Sequence, residues 1–147
     1  MRKVYLDHTA TTPLDPAVFE AMKPYFLEKY GNASSIHSFG QEAKAALDVS
    51  RDTIAKLIGA SAGEVIFTGS GTEADNFALK AGALEAKKLS GKNHIITSNV
   101  EHHAILDTCE FLEEQGFRVT YLRVDEFGMI HPDDVRKSII PDRKSVV

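Results

Sequence analysis

The sequence predicts an α/β fold, a mostly parallel sheet flanked by helices, on three observations. From Glu64 onward, short β-branched runs alternate with helical patterns: "EVIFT", a helix over 72–89, "HIITS", a helix over 103–114, then "FRVTYLRV". The connections between them are short, as in βαβ units. The first of these connections, "FTGSGTEADN", is a glycine-rich turn set between a strand and a helix.

The elements follow in order. Val4 to Leu6 reads as a short strand or an extended entry. In "PLDPAVFEAMKPYFLEKYG", Asp15 is placed to cap a helix with Pro16 at its first position and Gly31 at its end. Pro24 lies inside that pattern and predicts a kink or a break. "GNASSIHSFG" is a turn-rich loop. Apolar residues recur at helical spacing from Gln41 to Ile58, and Gly59 is a stop. "EVIFT" reads as a buried strand, and Gly116 ends the helix over 103–114. "HPDDVRKSII" is a short helix with Pro132 and two acids in its first turn. "DRKSVV" opens a new β-branched run and stops after two valines, so the chain is expected to be the N-terminal portion of something longer, a truncated domain.

Composition bounds the function. The 147 residues are 43% hydrophobic and 26% charged, ordinary for a globular domain. A net charge of −4 gives no electrostatic case for nucleic acid or for an anionic membrane. No apolar run approaches the roughly 20 residues of a membrane span. Cys109 is the single cysteine, so no intrachain disulfide forms, and a reducing, cytoplasmic setting is expected.

Strand, glycine turn and helix together present unpaired backbone N–H groups to an anion, and phosphate is the favoured guest. Gly69 and Gly71 allow close approach, Ser70 and Thr72 add hydroxyls, and Glu73 completes a cap. The loop has no Lys-Ser/Thr ending of the Walker type, and the sixth position of a dinucleotide fingerprint is Ala74. Alone, such a loop is equally well a tight turn that binds nothing. The second feature is "NVEHHAILD", directly after "HIITS". Glu101 and His102 therefore lie at the C-terminal end of a strand, on the same rim as the glycine loop, where open α/β sheets bind ligands. An imidazole there suits stacking on a flat ring or moving a proton. The bland alternative is that His102 only caps its helix. His103 is expected to point elsewhere. Cys109 lies mid-helix beside Ile105, Leu106 and Leu112, which predicts burial and poor reactivity. Asp7 and His8 are adjacent and would face opposite sides of a strand, and His37 and His94 have no partners at ligand spacing, so no metal site is expected.

Taken together, "VYLDHTATTPLDP", "YGNASSIHSFG", "EVIFTGSGTEADN", "HIITSNVEHHAILDTCEFLEEQGFRVTYL" and "DEFGMI" resemble the NifS/IscS-type cysteine desulfurases, within the class V aminotransferase group of pyridoxal-phosphate enzymes. The resemblance covers essentially the whole chain. It implies the large domain of a fold-type I transferase over 14–147, with 1–13 associated with the smaller domain. It implies pyridoxal 5′-phosphate as cofactor, with Gly71 and Thr72 on its phosphate and His102 stacked on its ring and assisting proton transfers. Thr9, Ala10 and Asn32 fall in segments that approach the substrate. The implied reaction takes sulfur from L-cysteine, leaving alanine and an enzyme persulfide, in a homodimer that serves a sulfur-acceptor or scaffold protein. Where the family has Ser-Gly-Ala-Thr-Glu, this chain has Gly69, Ser70, Gly71, Thr72 and Glu73. The family's Schiff-base lysine, ring-nitrogen aspartate, substrate arginine and loop cysteine belong to later parts of its chain, and no lysine here follows the Ser-x-His pattern. A selenocysteine lyase is the alternative within the same chemistry. A non-catalytic dimerisation or binding module is the alternative from another class.

Overall fold

The computed structural model describes residues 2–139 and 145–146, and the chain divides into two compact units, Met1–Ile66 and Phe67–Val147. The first unit is helical. Helix α1 spans Pro16–Leu27 and α2 spans Ser38–Ile58, followed by a 3-10 turn at Ala62–Glu64. Asp15 caps α1 as its residue type requires, its Oδ1 accepting from the amide of Ala17 at 2.7 Å. Pro24 does not break the helix. Its carbonyl accepts from the amides of both Glu28 and Lys29 at 2.8 Å, and the helix unwinds one turn later, at Leu27 rather than at Gly31.

The loop expected over 31–40 is shorter than its composition suggests. His37 caps α2 through Nδ1, which accepts from the Gly40 amide at 3.4 Å, so Ser38 to Gly40 are helical. The loop before it closes tightly. A Cβ on Gly31 would overlap the Phe39 carbonyl, and one on Gly40 would meet the Asn32 carbonyl at 2.6 Å. These are close backbone approaches that only glycine allows. At its other end α2 stops at Gly59, which takes the left-handed conformation at φ 72°.

The second unit is built on a parallel sheet. Helix α3 spans Gly71–Ser90, strand β1 His94–Ser98, α4 His103–Glu114, β2 Arg118–Leu122, α5 Pro132–Ser138 and β3 Ser145–Val146. The strand order is β2-β1-β3, with both pairings parallel. β1 and β2 pair in register from His94 opposite Arg118 to Ser98 opposite Leu122. The core lies under α3 and α4: Ala83, Ile95, Cys109, Leu112 and Phe117 are buried together, with Leu79, Ile105, Val119 and Tyr121 packed around them.

Two strand expectations are corrected. The run "EVIFT" is not one of the sheet's three strands, and Ile66 is exposed. Its first half is spent locally: the Val65 amide donates to Ala62 O at 3.3 Å, and the Val65 carbonyl accepts from Arg51 Nε at 3.4 Å. A backbone engaged in a turn offers no ladder to a neighbour. β2 is also shorter than "FRVTYLRV", because Phe117 turns into the core and the pairing ends at Leu122.

His94 opens β1 and is 1% exposed, with Nε2 2.8 Å from Thr120 Oγ1 on β2. Burial, and secondarily the charge of Arg118, hold its pKa below the ordinary 6.5. The folded state therefore keeps His94 neutral, while the unfolded chain takes up its proton near 6.5. This contribution to stability is complete above about pH 6.5 and is lost as pH falls through the depressed folded value. Chemical denaturation of the chain should show a midpoint that drops between about pH 7.5 and pH 5.5. His94→Asn should flatten that part of the profile, and an unchanged slope in the variant would assign the loss to other groups.

Candidate cofactor site

The head of α3 is assembled from the glycine turn. Ser70 is the N-cap, its Oγ accepting from the Glu73 amide at 3.2 Å. Glu73 reaches back, and its Oε2 accepts from the Gly69 amide at 2.6 Å. Ala74 donates to the Ser70 carbonyl at 3.1 Å. The amides of Gly71 and Thr72 have no acceptor among the described residues, and a Cβ added at Gly71 would meet nothing within 4 Å. Two adjacent N–H groups without an acceptor and a threonine hydroxyl, at a helix N-terminus, are a donor set of the kind that accommodates an anion. This donor set fits a phosphate. The Gly69 amide lies outside that set, because the Glu73 carboxylate holds it.

The head of α4 is delivered by the end of β1. Ser98, buried at 3% exposure, donates through Oγ to Glu101 Oε1 at 2.8 Å and accepts from the Val100 amide at 3.4 Å. This fixes the short turn that leads to His102. His102 caps α4, its Nδ1 accepting from the Ala104 amide at 3.0 Å. The capping role and the site position coexist: His102 and Thr72 line one cavity of about 380 Å³, together with Asn76, Lys80 and Thr108. The cavity thus has an imidazole and a threonine with an open amide among its lining groups.

The other candidates divide between this cavity and elsewhere. His103 is among the residues lining the cavity, with its side chain highly exposed and Nδ1 3.6 Å from Asp107 Oδ1. Lys80 lies with Nζ 4.7 Å from the centre of the Phe111 ring, a cation–π contact along the same wall. Cys109 is fully buried, and burial, then Glu113 and Glu101, push its thiol pKa up. Thr9, Ala10 and Asn32 belong to the first unit. Thr9 and Ala10 sit in an exposed turn in which Ala10 donates to Asp7 O at 3.2 Å. The Asn32 Oδ1 accepts from the Ser34 amide at 2.9 Å, so its side-chain oxygen closes the loop. A groove of about 710 Å³ between α1 and α2 is lined by apolar groups such as Val18, Met22 and Leu47 and gathers no reactive cluster.

Asn76 and Thr108 were not singled out by sequence. Asn76 Nδ2 donates to the Thr72 carbonyl at 3.0 Å, and Thr108 Oγ1 donates to Asn76 Oδ1 at 2.9 Å. The one sequence signal for Asn76 is an asparagine in a helix interior, four residues after Thr72, where its type is disfavoured.

Comparison with known proteins gives the family and fold that this chain resembles. Among curated relatives, the chain is 55% identical to cysteine desulfurase IscS of Dictyoglomus turgidum over 96% of its own length, and 50% identical to the IscS of Methanosarcina thermophila over 96%. It spans about a third of each, 35% and 34% respectively. Among solved structures, a NifS-like protein superposes with a TM-score of 0.88 at 38% identity, covering 97% of this chain and 38% of that one. SspA in complex with cysteine superposes with a TM-score of 0.84 at 38% identity, covering 96% of this chain and 40% of that one. The family model described as aminotransferase class-V matches residues 4–147, almost the whole sequence, and the chain belongs to that family.

Proposed function

We infer that this chain forms the phosphate-binding part of a pyridoxal-phosphate-dependent cysteine desulfurase. The observation that carries the reading is that Thr72, whose amide like that of Gly71 has no acceptor among the described residues, lines one cavity with His102. The names of the relatives support L-cysteine as substrate, and the SspA relative was solved with cysteine. The sulfur goes to an acceptor or scaffold protein from a homodimer in a reducing cytoplasm. A lone thiol sealed in the core suits that setting, and no helix among the described residues is long and apolar enough to cross a membrane. Residues 1–13 belong with the smaller domain, and Thr9, Ala10 and Asn32 approach the substrate end.

Pyridoxal 5′-phosphate, when bound, supplies an electron sink for bond-breaking at the substrate's α-carbon. The chain's own residues do three things for it. Gly71 and Thr72 anchor the phosphate with two N–H groups and a hydroxyl. Such an anion gains roughly 0.3–2 kcal/mol from a helix N-terminus, against about 8 kcal/mol for micromolar binding. The loop therefore orients more than it retains. His102 covers the ring face and excludes water from it. Its tautomer follows from the cap: Nδ1 accepts from Ala104, so in the neutral ring the proton is on Nε2. His102 therefore acts first as a hydrogen-bond donor through Nε2, and a proton added at Nδ1 would break the cap of α4.

Four outcomes test this reading. Incubated with pyridoxal phosphate and L-cysteine, the 147-residue chain should release no sulfide above the free cofactor, because no lysine here follows the Ser-x-His pattern of the family's Schiff-base lysine. Catalytic turnover would overturn that. In a chimera where residues 1–147 replace the matching third of the Dictyoglomus relative, His102→Ala should shift the visible band of the bound cofactor and slow turnover by about 10²–10⁴-fold. Cys109→Ala in the same chimera should leave the band alone and cost about 1 kcal/mol of stability. Loss of persulfide formation in Cys109→Ala alongside normal turnover in His102→Ala would reverse the assignment. Nitrogen-15 spectra of the His102 ring at pH 8 should show the Nε2–H tautomer, and an Nδ1–H ring would remove the donor role.

A further inference from the structure

The anion-binding turn and the ring-stacking histidine are separated by 30 residues of chain, from Thr72 to His102. They are carried by different helices. The apolar contacts of Ala83 with Cys109 and Leu112 hold α3 against α4, but such contacts are non-directional. Asn76 supplies direction. Its Nδ2 donates to the carbonyl of Thr72 itself at 3.0 Å, and its Oδ1 accepts from Thr108 Oγ1 at 2.9 Å. Thr108 is 3% exposed and sits on α4, six residues after His102. A helical threonine ordinarily returns its hydroxyl to a carbonyl of its own helix, whereas this one reaches across to α3. Asparagine is likewise a poor helix-interior residue that competes for backbone hydrogen bonds. Here both ends of its amide are used, one on the turn that holds the anion and one on the helix that carries the ring.

We propose that Asn76 is a positioning residue: with Thr108 it sets the distance between the Gly71–Thr72 amides and the His102 ring, so that one ligand bearing a phosphate and a flat ring engages both. The proposal rests on the reading of this cavity as a pyridoxal-phosphate site. Neither Asn76 nor Thr108 need touch the ligand. Their effect is to make two weak contacts simultaneous, which raises affinity through effective concentration without any new contact. Inorganic phosphate, which reaches only the loop, gains nothing from the link.

That difference provides the test. Pyridoxine 5′-phosphate has the ring and the phosphate but no aldehyde, so it cannot condense with Lys80 or another lysine. It and inorganic phosphate are titrated separately into the 147-residue chain, and the amide signals of Gly71 and Thr72 and the ring signals of His102 are followed by NMR. The wild-type chain should bind pyridoxine phosphate more tightly than phosphate. Asn76→Ala and Thr108→Val should leave phosphate affinity within about twofold and lower the preference for pyridoxine phosphate by about tenfold. Thr108→Ser, which keeps the hydroxyl, should retain the preference. Thr108→Val is isosteric at a buried position and sustains the test if Asn76→Ala does not fold. A full preference in both breaking variants, or an equal loss of both affinities, overturns the positioning role alone. A wild-type chain with no preference overturns the cofactor reading and the positioning role together.

Discussion

The first turn of any helix leaves four amides without a partner inside that helix, and α3 and α4 handle the shortfall differently. α4 fills three of its four from within: the His102 carbonyl accepts from the amides of Ile105 and Leu106, and its ring accepts from Ala104. α3 fills two, those of Glu73 and Ala74, through Ser70, while the Glu73 carboxylate holds the Gly69 amide; the amides of Gly71 and Thr72 have no acceptor among the described residues. The imidazole of His102 caps one helix, two adjacent amides are open at the head of the other, and Thr72 and His102 line one cavity.

The order of the elements brings the two heads to one edge. α3 leads into the start of β1, and α4 leaves its end and returns to the start of the parallel strand β2, so both helices run back against the strands and begin at the strands' C-terminal ends. β1 lies between β2 and β3, and its Ile95 and Ile96 are both buried, although they face opposite sides. Its last residue, Ser98, turns its hydroxyl to Glu101 and the Val100 amide and so governs the turn that presents His102. The chain of dependence runs from strand direction to loop geometry to the placement of an imidazole.

Most of this was legible in the sequence where a residue's type has a single local consequence. Asp15 before Pro16, Gly59 after Ile58 and Gly116 after the 103–114 pattern each announce an end, and "HIITS" is the strand observed. The start of α2 was misread because histidine is not among the usual caps, yet its Nδ1 accepts an amide as a carboxylate would; His37, His102 and His131 all use it this way. "EVIFT" misled because a β-branched run states a propensity, whereas a strand also needs a partner, and Val65 was already engaged by Ala62 and Arg51. The Asn76–Thr108 link was illegible for a third reason. Its two halves lie 32 residues apart, and only packing brings them together.

The burial of Cys109 has a consequence for sulfur chemistry and for handling the molecule. The single thiol of the chain is buried on the inner side of α4 and held in its protonated form. A thiol-specific reagent added to the folded chain therefore has no surface target. Its rate of reaction measures how often α4 lifts from the sheet, which makes the buried cysteine a built-in clock for local opening of the wall that carries His102.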